Sequence, residues 1–151
     1  VGQVIHILFE IVNPVAAYFG EKDIQQLAII QALNVKLGSK VEVVGVETKR
    51  ENSGLAMSSR NLRLSSAQLQ KAPLIYECLI MARQGYRAKD LTLLKAEIRN
   101  RFESDSEWNL EDFELIDPNT FEPISHWSEP CRAIVAAHLG EIRLIDNIAI
   151  S

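Results

Sequence analysis

The sequence predicts an α/β segment joined to a small α+β domain. Three observations carry this. A strand, a helix and a second strand follow one another between Val15 and Val46. A Ser-, Asn-, Arg- and Gly-rich stretch then interrupts the apolar pattern from Thr48 to Arg63. Beyond it, two helical patterns precede several strand-like runs. Strand, helix and strand in so short a span make a βαβ unit with a parallel pair. Helices followed by antiparallel strands make an α+β layer.

Taken in order, Val1, Ile5, Leu8, Phe9 and Val12 recur at three- and four-residue spacing, one face of a helix that Asn13-Pro14 should stop. Val15 to Phe19 is apolar without alternation, as expected of a strand buried on both faces. Gly20 and a charged turn follow. A second helix runs through Leu27, Ile30 and Leu33 to a stop at Gly38, and Val41 to Val46 is the next strand. One βαβ unit cannot close a domain, so it should expose apolar surface that other units cover.

In the second part, Ser65 to Gln68 fits a capping box. The helix it opens should run to Gly85, kinked or broken at Pro73. Asp90 can cap another helix with Leu91, Leu94, Ile98 and Phe102 on one face. Asp112 to Asp117 alternates like a strand, Pro118-Asn119 marks a turn, and the segments around Leu139-Gly140-Glu141 read as a hairpin.

Composition narrows the function classes. With 47% hydrophobic and 24% charged residues the chain is that of a soluble globular protein. A net charge of −4 gives no footprint for nucleic acid or anionic membrane. Any polyanion must be held by a few placed cations. Cys78 and Cys131 lie far apart and outside any CxxC, and read as buried, reduced thiols of a cytoplasmic protein. His6, His126 and His138 show no metal-ligand spacing, so no metal site is expected. No apolar run approaches a membrane span and no signal peptide is evident. The chain opens at Val1, without Met and inside a periodic segment, which suggests a start within a longer protein.

Two stretches can carry chemistry. Gly20-Glu21-Lys22-Asp23 falls at the carboxyl end of a parallel strand and opens a helix, where open α/β sheets bind ligands. The helix start offers unpaired N–H groups to an anion. Lys22 supplies a cation for phosphate, and Asp23 can accept from ribose hydroxyls. Gln26 should face the same mouth. The same four residues also make an ordinary polar turn, with Asp23 an ordinary N-cap.

The second stretch is Gly54-Leu55-Ala56-Met57-Ser58-Ser59-Arg60-Asn61. Ser58 and Ser59 can donate to phosphate oxygens, and Arg60 can bind two in a fork. Such a loop can close over a nucleotide. It also reads as a solvated linker. Together, a strand-end Lys and a Ser-Ser-Arg loop suggest two sides of one phosphate site. Glu111, Asp112, Glu114 and Asp117 read as the wet face of a strand. Arg143, Asp146 and Asn147 read as edge-strand polar residues or an interface, and Trp108 and Trp127 as packing anchors.

These strings resemble the pantothenate synthetase (pantoate–β-alanine ligase) family over nearly the whole chain. The resemblance starts at Leu8-Phe9-Glu10-Ile11-Val12-Asn13-Pro14. It runs through Ala17-Tyr18-Phe19-Gly20-Glu21-Lys22-Asp23, Gln25-Gln26-Leu27 and Val44-Gly45-Val46. Gly54 to Asn61 and Leu64-Ser65 follow, then Ala137 to Gly140 and Arg143 to Ile148. The resemblance implies an enzyme that adenylates pantoate with Mg-ATP, releases pyrophosphate, and lets β-alanine displace AMP. It implies ATP-binding roles for Gly20, Glu21, Lys22, Asp23, Lys49, Met57, Ser58, Ser59 and Arg60, with Lys22, Ser58, Ser59 and Arg60 also catalytic. Gly20 and Asp23 would hold ribose, Lys49 would meet adenine through its backbone, and Gln26 would hold pantoate. Mg2+ would arrive with ATP, and a homodimer is implied.

Ile24, Val15 and Glu47 depart from the family pattern in tolerable ways. The larger departure is the family's N-terminal HxGH stretch, which does not occur in these residues. On this reading residues 1–50 are the closing part of a Rossmann-like nucleotide-binding domain and residues 51–151 a lid domain. By themselves they should be inactive. A non-catalytic lid or oligomerisation module, or another adenylate-forming nucleotidyltransferase, are the alternatives.

Overall fold

A computed structural model describes residues 1–150 as two compact units, Val1–Thr48 and Lys49–Ser151, the last of these residues lying outside the description. The first is a βαβ unit preceded by a helix. Helix α1 (Gly2–Val12) ends on Asn13, which adopts a left-handed conformation and closes the helix through its N–H to Phe9 O. Strand β1 (Ala16–Gly20) pairs in parallel with β2 (Glu42–Val46), Tyr18 opposite Val44. Helix α2 (Ile24–Lys36) connects them and buries Leu27 and Ile30.

The expectation that β1 is buried on both faces is not met. Val15 is 86% and Tyr18 70% exposed, and α1 has no buried residue. The physical reason is the small number of layers. Two strands and two helices offer one interior face, so apolar residues on the other face stay in solvent.

The second unit holds the larger core. Helices α3 (Ser66–Lys71) and α4 (Leu74–Gln84) come from one apolar pattern divided at Ala72-Pro73, because proline cannot continue the hydrogen-bond ladder. The capping box forms in full: Ser65 Oγ accepts from Gln68 N, and Gln68 Oε1 accepts from Ser65 N. Asp90 caps α5 (Leu91–Glu103) by accepting from the N–H groups of Thr92 and Leu93.

Strands β3 (Trp108–Ile116), β4 (Arg132–Leu139) and β5 (Ile142–Ala149) form an antiparallel sheet in that order. Alternation along β4 sends Ala133, Val135, Ala137 and Leu139 into the core. Helix α4 lies against β4 and β5, and α5 against β3. Trp108 packs its ring edge on Phe102, 5.2 Å between centroids, as a packing anchor should. Trp127 meets Tyr86 in the same way and donates its indole N–H to Lys89 O.

Both thiols are free and buried. Burial pushes the Cys78 thiol up to about 12. The architecture is therefore the mixed one the sequence implies: a parallel pair with helices, then helices on a small antiparallel sheet. No helix among the described residues is long and apolar enough to cross a membrane.

Candidate functional site

In the first unit the strand-end residues form one continuous feature. Gly20 is the last residue of β1, Glu21–Asp23 make a single 3-10 turn, and α2 starts at Ile24. Gln26 lies in the first turn of α2 and is half-buried. A Cβ on Gly20 would meet nothing within 4 Å, so the backbone is approachable there. A Cβ on Gly45 of β2 would come within 3.3 Å of Glu21 Oε1, so the Glu21 side chain lies over β2. Asp23 stands at the N-cap position of α2 but makes no side-chain cap bond. Its carboxylate is therefore not serving as an ordinary cap.

In the second unit the Gly-to-Asn loop is built by short-range hydrogen bonds. Arg50 and Ala56 form an isolated antiparallel bridge, Glu51 N donates to Leu55 O, and Met57 N donates to Lys49 O at 2.9 Å. The Lys49 carbonyl thus accepts one bond within the loop, which leaves its second lone pair available, and its side chain is exposed. Leu55 and Ala56 are buried, whereas Met57, Ser59 and Arg60 are exposed and Ser58 is half-buried. A 3-10 turn then runs from Ser59 to Arg63. Ser58 starts it: its Oγ accepts from Arg60 N at 3.2 Å, which leaves its hydroxyl proton to be donated elsewhere. Arg60 Nη1 donates to Arg143 O at 3.1 Å.

Three residues that structure this loop were not read as site residues from the sequence. Arg50 Nη1 donates to Gly54 O at 3.0 Å. Asn61 Nδ2 donates to Ala56 O at 3.0 Å, and its Oδ1 is buried without a hydrogen-bond partner. Asp146, expected to be an edge-strand or interface residue, does lie on the edge strand β5, but it is 3% exposed and holds Arg50 in a two-bond fork. Asn147 is buried as well and accepts from Arg132. The signal for Asp146 was present, because Ile142 and Leu144 point inward at two-residue spacing and Asp146 is next in that series.

The acidic stretch of β3 does not converge. A bulge between Leu110 and Asp112 leaves Glu111 without a cross-strand partner in register. Its carboxylate reaches Arg143 in a fork of 2.6 and 2.9 Å, and His138 Nε2 lies 3.4 Å away. The hydrogen bonds from Arg143 hold the Glu111 carboxyl below the usual carboxylate range. Glu114 pairs instead with Lys95 of α5.

Comparison with known proteins places the chain in a family. The description "Pantoate-beta-alanine ligase" fits residues 1–149. The pantothenate synthetase of Christiangramia forsetii is 42% identical over 100% of the chain and 54% of its own length. That of Thermus thermophilus is 40% identical over 99% of the chain and 55% of its own length. The chain spans about half the length of these curated relatives. A crystal structure of the T. thermophilus synthetase superposes with a TM-score of 0.93 at 38% identity, over 99% of this chain and 54% of that one. A ligase from Francisella tularensis, described as complexed with β-γ ATP and β-alanine, gives 0.69 at 28% identity over 98% of this chain and 48% of that one.

Proposed function

The chain belongs to the pantoate–β-alanine ligase family, and we propose that it supplies nucleotide contacts to the ATP-dependent condensation of pantoate with β-alanine. One observation carries the reading. The two strings that resemble the family most fall on a strand end opening a helix and on a loop that buries Leu55 and Ala56 but exposes Met57, Ser59 and Arg60. Residues selected only for packing would sit in the core. The F. tularensis ligase, described as complexed with β-γ ATP and β-alanine, supports both ligands.

In the proposed reaction a carboxylate oxygen of pantoate attacks the α-phosphorus of ATP. The bond from that phosphorus to the bridging oxygen breaks and pyrophosphate leaves. The β-alanine amine then attacks the acyl carbon of pantoyl adenylate, loses a proton, and AMP departs. Within this scheme Lys22 meets phosphate, Gly20 and Asp23 hold ribose, and Gln26 holds pantoate. Glu21 shapes the turn that presents Lys22 and Asp23. Lys49 meets adenine through its backbone. Met57, Ser58, Ser59 and Arg60 cover the phosphates, the two hydroxyls and the guanidinium donating to oxygens that gain charge as pyrophosphate leaves. Such donors accelerate the step by stabilising developing charge and fixing geometry, not by covalent chemistry. Mg2+ enters as part of the substrate, carried on ATP.

Residues 1–50 would be part of a nucleotide-binding domain and residues 51–151 a lid that closes over the nucleotide. The family resemblance extends the proposal to a homodimer working in the cytoplasm.

The test is a graft in which these 151 residues replace the matching part of the T. thermophilus synthetase. The graft should form pantothenate from ATP, pantoate and β-alanine, with AMP released in equal amount. The 151 residues alone should form none, because no HxGH stretch is among them. A graft that folds and makes no pantothenate refutes the assignment. Turnover by the residues alone near that of the relative refutes the division of labour.

A further inference from the structure

We propose that Arg50 and Asp146 form a positioning pair that sets the conformation of the Met57–Arg60 loop without touching the nucleotide. Its functional weight rests on the reading of that loop as phosphate-binding, whereas its geometry does not.

The pair is unusual for its burial. The Asp146 side chain is 0% and the Arg50 side chain 19% exposed. Two hydrogen bonds join them, Nη1 to Oδ2 at 2.6 Å and Nη2 to Oδ1 at 3.0 Å. Taking both charges out of water is expensive, and apolar residues of equal volume often stabilise a fold as well or better. Stability alone therefore gives the pair little reason to exist.

What it does specifically is fix the loop. The same Nη1 that binds Asp146 donates to Gly54 O at 3.0 Å. The guanidinium stacks over Tyr76, 4.1 Å from the ring centroid. Gly54 lies against that ring with φ +90°, and a Cβ there would fall 2.2 Å from Tyr76 Cδ1. Only glycine fits this backbone and this space. Arg50 also pairs with Ala56 across the loop neck, where Asn61 Nδ2 holds the Ala56 carbonyl. Further on, Arg60 Nη1 bonds the Arg143 carbonyl on β5, the strand that carries Asp146. The loop is thus tied to β5 at both ends, and Asp146 orients the residue that makes the first tie. Asp146 Oδ1 in turn accepts from Asn147 N at 2.8 Å, which fixes the carboxylate itself.

Arg50→Lys separates positioning from charge. Lysine keeps a cation against Asp146 but has no rigid fork to serve the carboxylate and the Gly54 carbonyl together. Amide hydrogen exchange in the 151-residue chain is the first readout. Exchange at Gly54, Met57 and Asn61 should rise at least tenfold, while β4 amides keep their protection. Asp146→Asn, where it folds, should do the same; where it does not, Arg50→Lys decides. Unchanged loop exchange, or a rise shared equally by β4, overturns the proposal. In the graft, Arg50→Lys should lower kcat for adenylation at least tenfold with a smaller change in KM for pantoate. Unchanged kcat beside a mobile loop also overturns it. An unsubstituted graft that is folded but inactive refutes the phosphate-loop reading instead, and leaves the geometric claim to the exchange data.

Discussion

Lys22→Ala in the graft is expected to slow pantoyl-adenylate formation about 100- to 1,000-fold, the loss typical of removing one charged or hydrogen-bonding group aimed at a transition state. Lys22 lies in the 3-10 turn between the end of β1 and the start of α2. An anion there meets the unpaired N–H groups of the helix start as well as the ammonium. The backbone donors remain after substitution, so a residual rate should persist. Lys22→Arg should recover part of the loss, since charge is kept and only its shape changes. Single-turnover measurement of adenylate at saturating ATP is the check. A rate within threefold of the parent would remove Lys22 from the phosphate site.

Phe102→Ala should destabilise the second unit by about 3–5 kcal/mol. The ring is fully buried at 0% exposure and meets the Trp108 ring edge-on. Its loss leaves a void between α5 and β3 that rigid neighbours cannot fill. For a domain whose whole stability is on the order of 5–15 kcal/mol, this removes a large share. Leu93→Ala on the same helix, at a position 70% exposed, should change stability by no more than about 0.5 kcal/mol beyond helix propensity. Urea unfolding followed by the tryptophan signal compares the two. Equal effects would mean that the second unit is not packed around Phe102.

Local signals made most of the fold legible. The Ser65 box, the Asp90 cap and the Pro73 break each depend on residues within one turn, and each is present. The hairpin around Gly140 is equally local, with Gly140 at φ +58°. What the sequence did not disclose depends on partners far along the chain. Arg50 and Asp146 are 96 residues apart, so neither could be read as half of a pair. The acid at the inward position after Leu144 was the available clue. The bulge at Glu111 follows from sheet register, which alternation over a few residues does not specify. The exposure of Val15 and Tyr18 depends on how many layers cover β1, a property of the assembly and not of the strand.

For the site, the sequence supplied the residue types and the structure supplied their surroundings. Asp23 proved not to be a side-chain cap, and Ser58 proved to hold the turn that carries Arg60.

These residues are proposed to carry nucleotide contacts for activating pantoate. Exchange of labelled pyrophosphate into ATP by the graft tests this role most directly, because exchange reports the first half-reaction alone. Exchange should require pantoate and proceed without β-alanine. Exchange independent of pantoate, or none from a folded graft, would contradict it.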